Sequence, residues 1–317
     1  MSIAELAITE VASKASLFHH IVVASDFSMA SERAFSEALA IAKEHDAQIS
    51  LVHVVNADWR YEMLESPPEI DLEEADAKAR MRTFTNTLAP GMEVRPALIR
   101  RGPTALSVTA YAKQTRADLL VIGTRGRGGL SKLALGSIAE ELLRIAPCPV
   151  MTVGPRAEIT SSTNTFQTIL FATDFGKGSA EALKIALSLA QKRRAKLVML
   201  HMTAPVPVMS TSLSAYAPAG ATAEDIQEWQ SSSRARSLEQ LKKCLPTDIH
   251  LDQEVEFVTG TDLCPEGVLT AAKKFRADLI VMGANRTMPA KVMAHIPWTA
   301  VHEVVRKARC PVLTVAG

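Results

Sequence analysis

The stretch Leu119-Leu120-Val121-Ile122-Gly123-Thr124-Arg125-Gly126, followed after nine residues by Gly136-Ser137, decides the reading of this chain. Its four leading apolar residues read as a buried strand. Gly136-Ser137 opens an amphipathic stretch that reads as a helix. Glycines let a backbone approach a ligand closely, and a helix N-terminus presents unpaired N–H groups to an anion. A strand, a glycine-bearing loop and a helix start, in that order, suggest a cradle for phosphate.

Working outward, the surroundings of this stretch occur twice. His20-Ile-Val-Val-Ala-Ser-Asp26-Phe27 matches Thr168-Ile-Leu-Phe-Ala-Thr-Asp174-Phe175. Ala117-Asp118-Leu-Leu-Val-Ile-Gly123 matches Ala277-Asp278-Leu-Ile-Val-Met-Gly283, and Cys148-Pro-Val-Met-Thr-Val153 matches Cys310-Pro-Val-Leu-Thr-Val315. Three matches in the same order imply an internal duplication. In the first copy, strands are expected near residues 21–25, 49–55, 93–99, 118–123 and 149–153. Helices are expected near 29–45, 70–88, 103–115 and 137–145. Such alternation argues for a parallel sheet covered by helices on both faces. Ala34, Ala38, Ile41 and Ala42 give the first helix a small apolar stripe to lay on that sheet. Pro103 suits the first turn of the third helix. The expected division is a first domain at 18–154, a linker at 155–167 and a second domain at 168–317. A further irregular stretch at 205–220 reads as a lid, a binding loop or disorder.

Composition sets the outer bounds. The chain has 317 residues, enough for two ordinary domains. Lys plus Arg total 35 and Asp plus Glu total 34, so charge gives no case for nucleic acid or an anionic membrane surface. No apolar run approaches the ~18–20 residues that span a bilayer, and residues 1–18 lack the pattern of a signal peptide. Cys148, Cys244, Cys264 and Cys310 form no CxxC pair. They read as reduced packing cysteines, which points to a cytoplasmic protein.

Ligands of open parallel sheets bind beyond the carboxyl ends of the strands, where strand order reverses. Two loops of the first copy lie at such ends: Ala24-Ser25-Asp26-Phe27-Ser28, and residues 123–129. If their strands are neighbours, Asp26 can accept from sugar hydroxyls while Gly123 and Gly126 admit phosphate to the backbone. Ser137 and its N–H would cap the phosphates, and Arg125, Arg127 and Lys132 add positive charge nearby. Each residue also has a plainer reading. Asp26 and Asp174 suit a helix cap, Ser137 an N-cap, and the cations a solvated rim. His53 and His201 read as packing residues. P-loop, GxSxG and HExxH motifs are absent from the sequence. No evident general base or nucleophile accompanies the cradle. Slow ATP hydrolysis is compatible with these residues but not required by them.

On these residues the chain resembles a tandem universal stress protein, two copies of that domain in one polypeptide. ATP-binding members of the family carry G-x2-G-x9-G-[ST] after the fourth strand and an Asp after the first. Gly123, Gly126, Gly136, Ser137 and Asp26 meet both patterns. The resemblance implies two doubly wound, Rossmann-like α/β domains of the adenine nucleotide alpha hydrolase type, with strand order 3-2-1-4-5. It implies that Ala24, Ser25 and Val54 flank adenine, that Asp26 meets ribose, and that Ile122 and Gly123 line the pocket. It implies that Arg125, Gly126, Gly136, Ser137 and Ile138 hold the phosphates of ATP, with Mg²⁺ bound through those phosphates. The last strand of each domain is expected to pair between the domains, as an intra-chain pseudo-dimer, with a homodimer as a further association.

The second copy departs from the pattern. Arg286 replaces the second glycine, and Trp298-Thr299 stand where Gly136-Ser137 do, after a segment two residues longer. A Trp leaves no room where backbone must touch phosphate, and it reads better as a core plug. The expectation is a stress-response protein with one ATP site, in the first copy, acting as a sensor or regulatory module. The alternative is a protein-interaction scaffold whose pocket is vestigial.

Overall fold

A computed structural model describes residues 16–55, 68–100, 102–124, 135–157, 166–203, 223–261, 264–284 and 298–317. The first copy runs β1 (His20–Ala24), α1 (Met29–His45), β2 (Gln48–Val55), α2 (Pro68–Leu88), β3 (Val94–Arg100), α3 (Thr104–Gln114), β4 (Leu119–Gly123), α4 (Ser137–Ile145) and β5 (Val150–Val153). The second runs β6 (Thr168–Thr173), α5 (Lys177–Arg193), β7 (Lys196–Met202), α6 (Ala223–Cys244), β8 (Glu256–Gly260), α7 (Cys264–Phe275), β9 (Leu279–Ala284), α8 (Trp298–Lys307) and β10 (Val312–Ala316). The expected elements are all present in the first copy. Pro103 differs by one position: it is the extended N-cap of α3 rather than its first residue.

The chain forms two compact units. One holds the described residues of 13–165 and of 284–316; the other holds those of 166–283 and Gly317. In the first unit the strand order is β3-β2-β1-β4-β5, all parallel, as the resemblance implied. In the second unit β8-β7-β6-β9 repeats that order, again parallel. The apolar strands supply the core: Ile21, Val22, Val23, Leu119, Leu120 and Val121 have no exposed surface. The α1 stripe of Ala34, Ala38, Ile41 and Ala42 is buried, as expected.

Two local devices recur in both copies and locate the strands. The Asp118 carboxylate, one residue before β4, accepts the His19 and His20 N–H groups at 2.7 and 2.8 Å, pinning the start of β1. Asp278 does the same for β6, accepting the Gln167 N–H at 2.7 Å and the Thr168 N–H at 3.2 Å. Burial pushes the Asp278 carboxyl above the ordinary range, against the opposing pull of those N–H groups and Arg193. Left-handed residues also recur at matched places: Phe27 and Phe175, Asp46 and Arg194, Arg116 and Arg276. Asp46 and Arg194 close the C-termini of α1 and α5.

The last strand of the second copy belongs to the unit of the first. β10 pairs antiparallel with β5, with Leu313 opposite Met151 and the Thr152 hydroxyl donating to the Val312 carbonyl at 3.2 Å. The matched sequences make Leu313 the counterpart of Met151, so equivalent residues face each other at the centre of the pairing. The helices that precede these strands also meet, with His302 Nε2 lying 3.8 Å from Glu140 Oε2. A bare β5 edge would template aggregation, and β10 covers it.

Candidate functional site

β1 has β2 on one side and β4 on the other, with Ala24 registered against both Val52 and Ile122. The chain leaves β1 toward β2 and β3 and returns later to β4. That reversal opens a crevice beyond the carboxyl ends of β1 and β4. Both candidate loops of the first copy start there, as their sequence positions require.

The loop after β1 is a tight elbow. Phe27 turns it with φ 61°, and the Phe27 N–H donates to Ser25 Oγ at 3.0 Å. Asp26 Oδ1 accepts the Ser28 N–H at 3.0 Å and the Ser31 hydroxyl at 2.5 Å. Ser28 caps α1 by accepting the Ser31 N–H. Ser25 is buried, and its N–H donates to the Val52 carbonyl at 2.9 Å. The His53 ring donates from Nδ1 to the Ser25 carbonyl at 2.7 Å, since a carbonyl oxygen can only accept. That ring also lies 4.5 Å from Phe27. His53 therefore packs, as expected, and also holds the elbow. Asp26 organises the start of α1 from a loop that begins at the crevice. Val54 and Ile122 are buried beside the crevice, and Ala24 is half-buried.

The far side of the crevice comes from β4 and α4. The Thr124 N–H extends the pairing with β5 by donating to the Val153 carbonyl at 3.1 Å. The Gly136 N–H then donates to the Thr124 carbonyl at 2.9 Å, which returns the chain to the end of β4. Gly136 is the N-cap of α4 and makes no side-chain cap, so Ser137 is the first helical residue rather than the cap. Ser137 is exposed, and Ile138 is 42% exposed. The N-terminus of α4 thus carries N–H groups that no cap side chain engages. Arg125 and Gly126, with Arg127 and Lys132, lie outside the described residues.

Gly123 has a packing role that the cradle reading passes over. A Cβ there would stand 2.8 Å from the Ala30 carbonyl carbon and 2.9 Å from its oxygen, because α1 crosses directly over the end of β4. Gly283 is under the same constraint more severely, with a Cβ placed 2.3 Å from the Ser179 nitrogen.

The second copy reproduces the bonds of the elbow aspartate, although Gly176 replaces the capping Ser28 and makes no side-chain cap. Asp174 Oδ1 accepts the Gly176 N–H at 2.8 Å and the Ser179 hydroxyl at 2.7 Å. Phe175 turns with φ 61°, and His201 Nδ1 donates to the Thr173 carbonyl at 2.8 Å. What surrounds the elbow differs. Met202 follows His201 as Val54 follows His53. Its thioether fills the space that side chains at Gly260 and Gly267 would take, with Cε 2.7 and 2.1 Å from the Cβ positions of those glycines. α8 begins at Trp298, and Arg286 lies outside the described residues. Cys244 and Cys310 are buried and Cys148 is half-buried, in keeping with packing; Cys264, at the start of α7, is exposed and departs from it. Although the residue as a whole is exposed, partial desolvation of its thiol, then the Asp174 and Glu266 carboxylates, hold that thiol above its ordinary range. Among the described residues, no group of three or more His, Cys, Asp or Glu is placed to hold a metal ion.

Sequence reasoning gave no role to Ser31, Asp118 or the His53 bond. All three recur at matched positions in the second copy, and that recurrence was the available signal.

The fold is that of a tandem doubly wound α/β protein, with a switch-point crevice in its first copy. The chain belongs to the Universal stress protein family, whose sequence model matches residues 17–154 and again 165–316. A universal stress protein of Methanocaldococcus jannaschii is 30% identical over 145 residues, which is 43% of this chain and 82% of that relative. One from Thermus aquaticus is 34% identical over 140 residues, 43% of this chain and 99% of that relative. The crystal structure of a universal stress protein from Archaeoglobus fulgidus superposes with a TM-score of 0.65 at 18% identity. It covers 95% of this chain and 97% of its own, and it supports the fold alone.

Proposed function

We propose that the first copy binds ATP, with Mg²⁺ carried on its phosphates, and that the chain serves as a stress-response sensor or regulatory module. The observation that carries this reading is the bond from the Gly136 N–H to the Thr124 carbonyl. It sets the uncapped N-terminus of α4 at the carboxyl end of β4, the strand beside β1 and its Asp26 elbow. Donors for phosphate and a carboxylate for ribose then stand on the two strands that border one crevice. Val54 and Ile122 offer apolar surface to adenine, and Gly126 and Arg125 complete the phosphate loop by sequence.

The second copy is read as structural, or as binding a different ligand. Met202 occupies the position of Val54, and Trp298 opens the helix that corresponds to α4. The proposed setting is the cytoplasm; among the described residues no helix is long and apolar enough to cross a membrane.

Calorimetric titration of ATP with Mg²⁺ into the full chain tests the reading, beside a Gly126→Arg variant that copies the second half. One site per chain, lost in the variant, is expected. Two equivalent sites would overturn the assignment of the second copy. Absence of binding to the wild-type chain would overturn nucleotide binding and favour the scaffold.

A further inference from the structure

Ser31 lies in the first turn of α1 with only 3% of its surface exposed. Its hydroxyl donates to Asp26 Oδ1 at 2.5 Å and accepts from the Asp26 N–H at 3.2 Å, closing a ring that contains both the backbone and the carboxylate of Asp26. The Ser28 N–H, at 3.0 Å, grips the same oxygen. Rotation of the Asp26 side chain breaks both bonds to Oδ1. The hydroxyl end of Ser31 is turned toward Asp26 and away from solvent, so Ser31 acts through Asp26.

We propose that Ser31 is a positioning residue for the nucleotide: it presents the Asp26 carboxylate to ribose in a single orientation. The inference rests on the reading of Asp26 as the ribose contact. A carboxylate already fixed loses no rotamer freedom when the sugar arrives, whereas a loose one must be ordered at that moment. Asp174 and Ser179 form the same ring in the second copy, where the phosphate pattern is missing. Ser179 is therefore an internal control that reports the structural share of this bond.

The test is equilibrium binding of ATP, 2′-deoxyATP and 3′-deoxyATP to the full chain and to its Ser31→Ala, Ser31→Thr and Ser179→Ala variants. The wild-type chain is expected to prefer ATP over at least one deoxy analogue. Ser31→Ala is expected to weaken ATP binding about threefold to tenfold, with little change for the disfavoured analogue, so that the preference collapses. Ser31→Thr keeps the hydroxyl and restores the preference; Ser179→Ala leaves it untouched. The preference is a ratio within one sample, so it does not depend on the fraction folded.

A Ser31→Ala variant with wild-type preference overturns the proposal, as does one that weakens all three nucleotides equally. A wild-type chain that binds ATP without regard to the ribose hydroxyls overturns the proposal and leaves ATP binding standing. A wild-type chain that binds none of the three overturns the functional reading beneath it.

Discussion

The elbows after β1 and β6 share the bonds of Asp26 and Asp174, differing in the side-chain cap that Ser28 makes and Gly176 cannot, while the segments that follow β4 and β9 have diverged. Asp26 and Asp174 hold the same Ser five residues on, and His53 and His201 hold the same carbonyl. Yet Gly136-Ser137 has become Trp298-Thr299. The difference separates two duties that one motif conceals. Gly123 belongs to the phosphate pattern, but its counterpart Gly283 persists in a copy that has lost the pattern. Close approach of α1 to β4 and of α5 to β9 explains both glycines without any ligand. Gly136 has no such constraint, since a Cβ there would come no nearer than 3.4 Å to the Thr124 carbonyl oxygen. It is the glycine that was free to change.

The strongest way to break this comparison is Gly283→Ala beside Gly123→Ala. The added methyl meets backbone in both, at 2.3 Å from Ser179 N and 2.8 Å from the Ala30 carbonyl carbon. Each variant is expected to lose about 3 kcal/mol of stability in urea unfolding without any nucleotide present. If Gly283→Ala is harmless while Gly123→Ala affects only ATP binding, the packing explanation fails.

Gly267→Ala sharpens the point. Its Cβ would stand 2.1 Å from Met202 Cε, closer than in either case above, but that atom ends a flexible side chain. The same unfolding measurement is expected to give about 1 kcal/mol, as Met202 swings aside. A cost equal to that of Gly283→Ala would show that Met202 is locked in place.

The smallest effect concerns the stapling aspartates. The Asp278 pKa is raised in the folded chain, so folding favours its protonated form. That contribution is full below the unfolded pKa of about 4 and is lost as pH rises through the higher folded value. Urea unfolding from about pH 4 to about pH 7 should therefore show a downward slope that Asp278→Asn flattens, since Asn does not titrate. An unchanged slope would remove Asp278 from its causes.

Much of this was legible in the sequence. Short apolar runs alternating with longer amphipathic ones placed the strands of the first copy within a residue or so of their observed bounds, and α1 and α4 were expected over the ranges observed. Three matched motifs gave the duplication, and Gly136-Ser137 gave the open helix end. Bonds between distant residues were not legible. His53 reaches Ser25 across 28 positions, and Asp118 reaches His20 across 98. A linear pattern marks such residues as recurrent without saying what they hold. The exchange of bulk between Met202 and two glycines, one on β8 and one on α7, is hidden for the same reason. It exists only after the chain has brought three elements together.

The pairing of β10 with β5 also sets a timetable. The Thr152 hydroxyl and the Val312 carbonyl it binds are separated by 160 positions. At ordinary rates of synthesis, about 5–20 residues per second, the ribosome needs roughly 8–30 s to travel that distance. Through that interval the nascent first copy has its five parallel strands but no partner for β5. The unit that holds the first copy is completed only once β10, 160 positions downstream, has been made. Chaperone attention and pausing are thus expected to matter most in the window between the synthesis of Val153 and that of Val312.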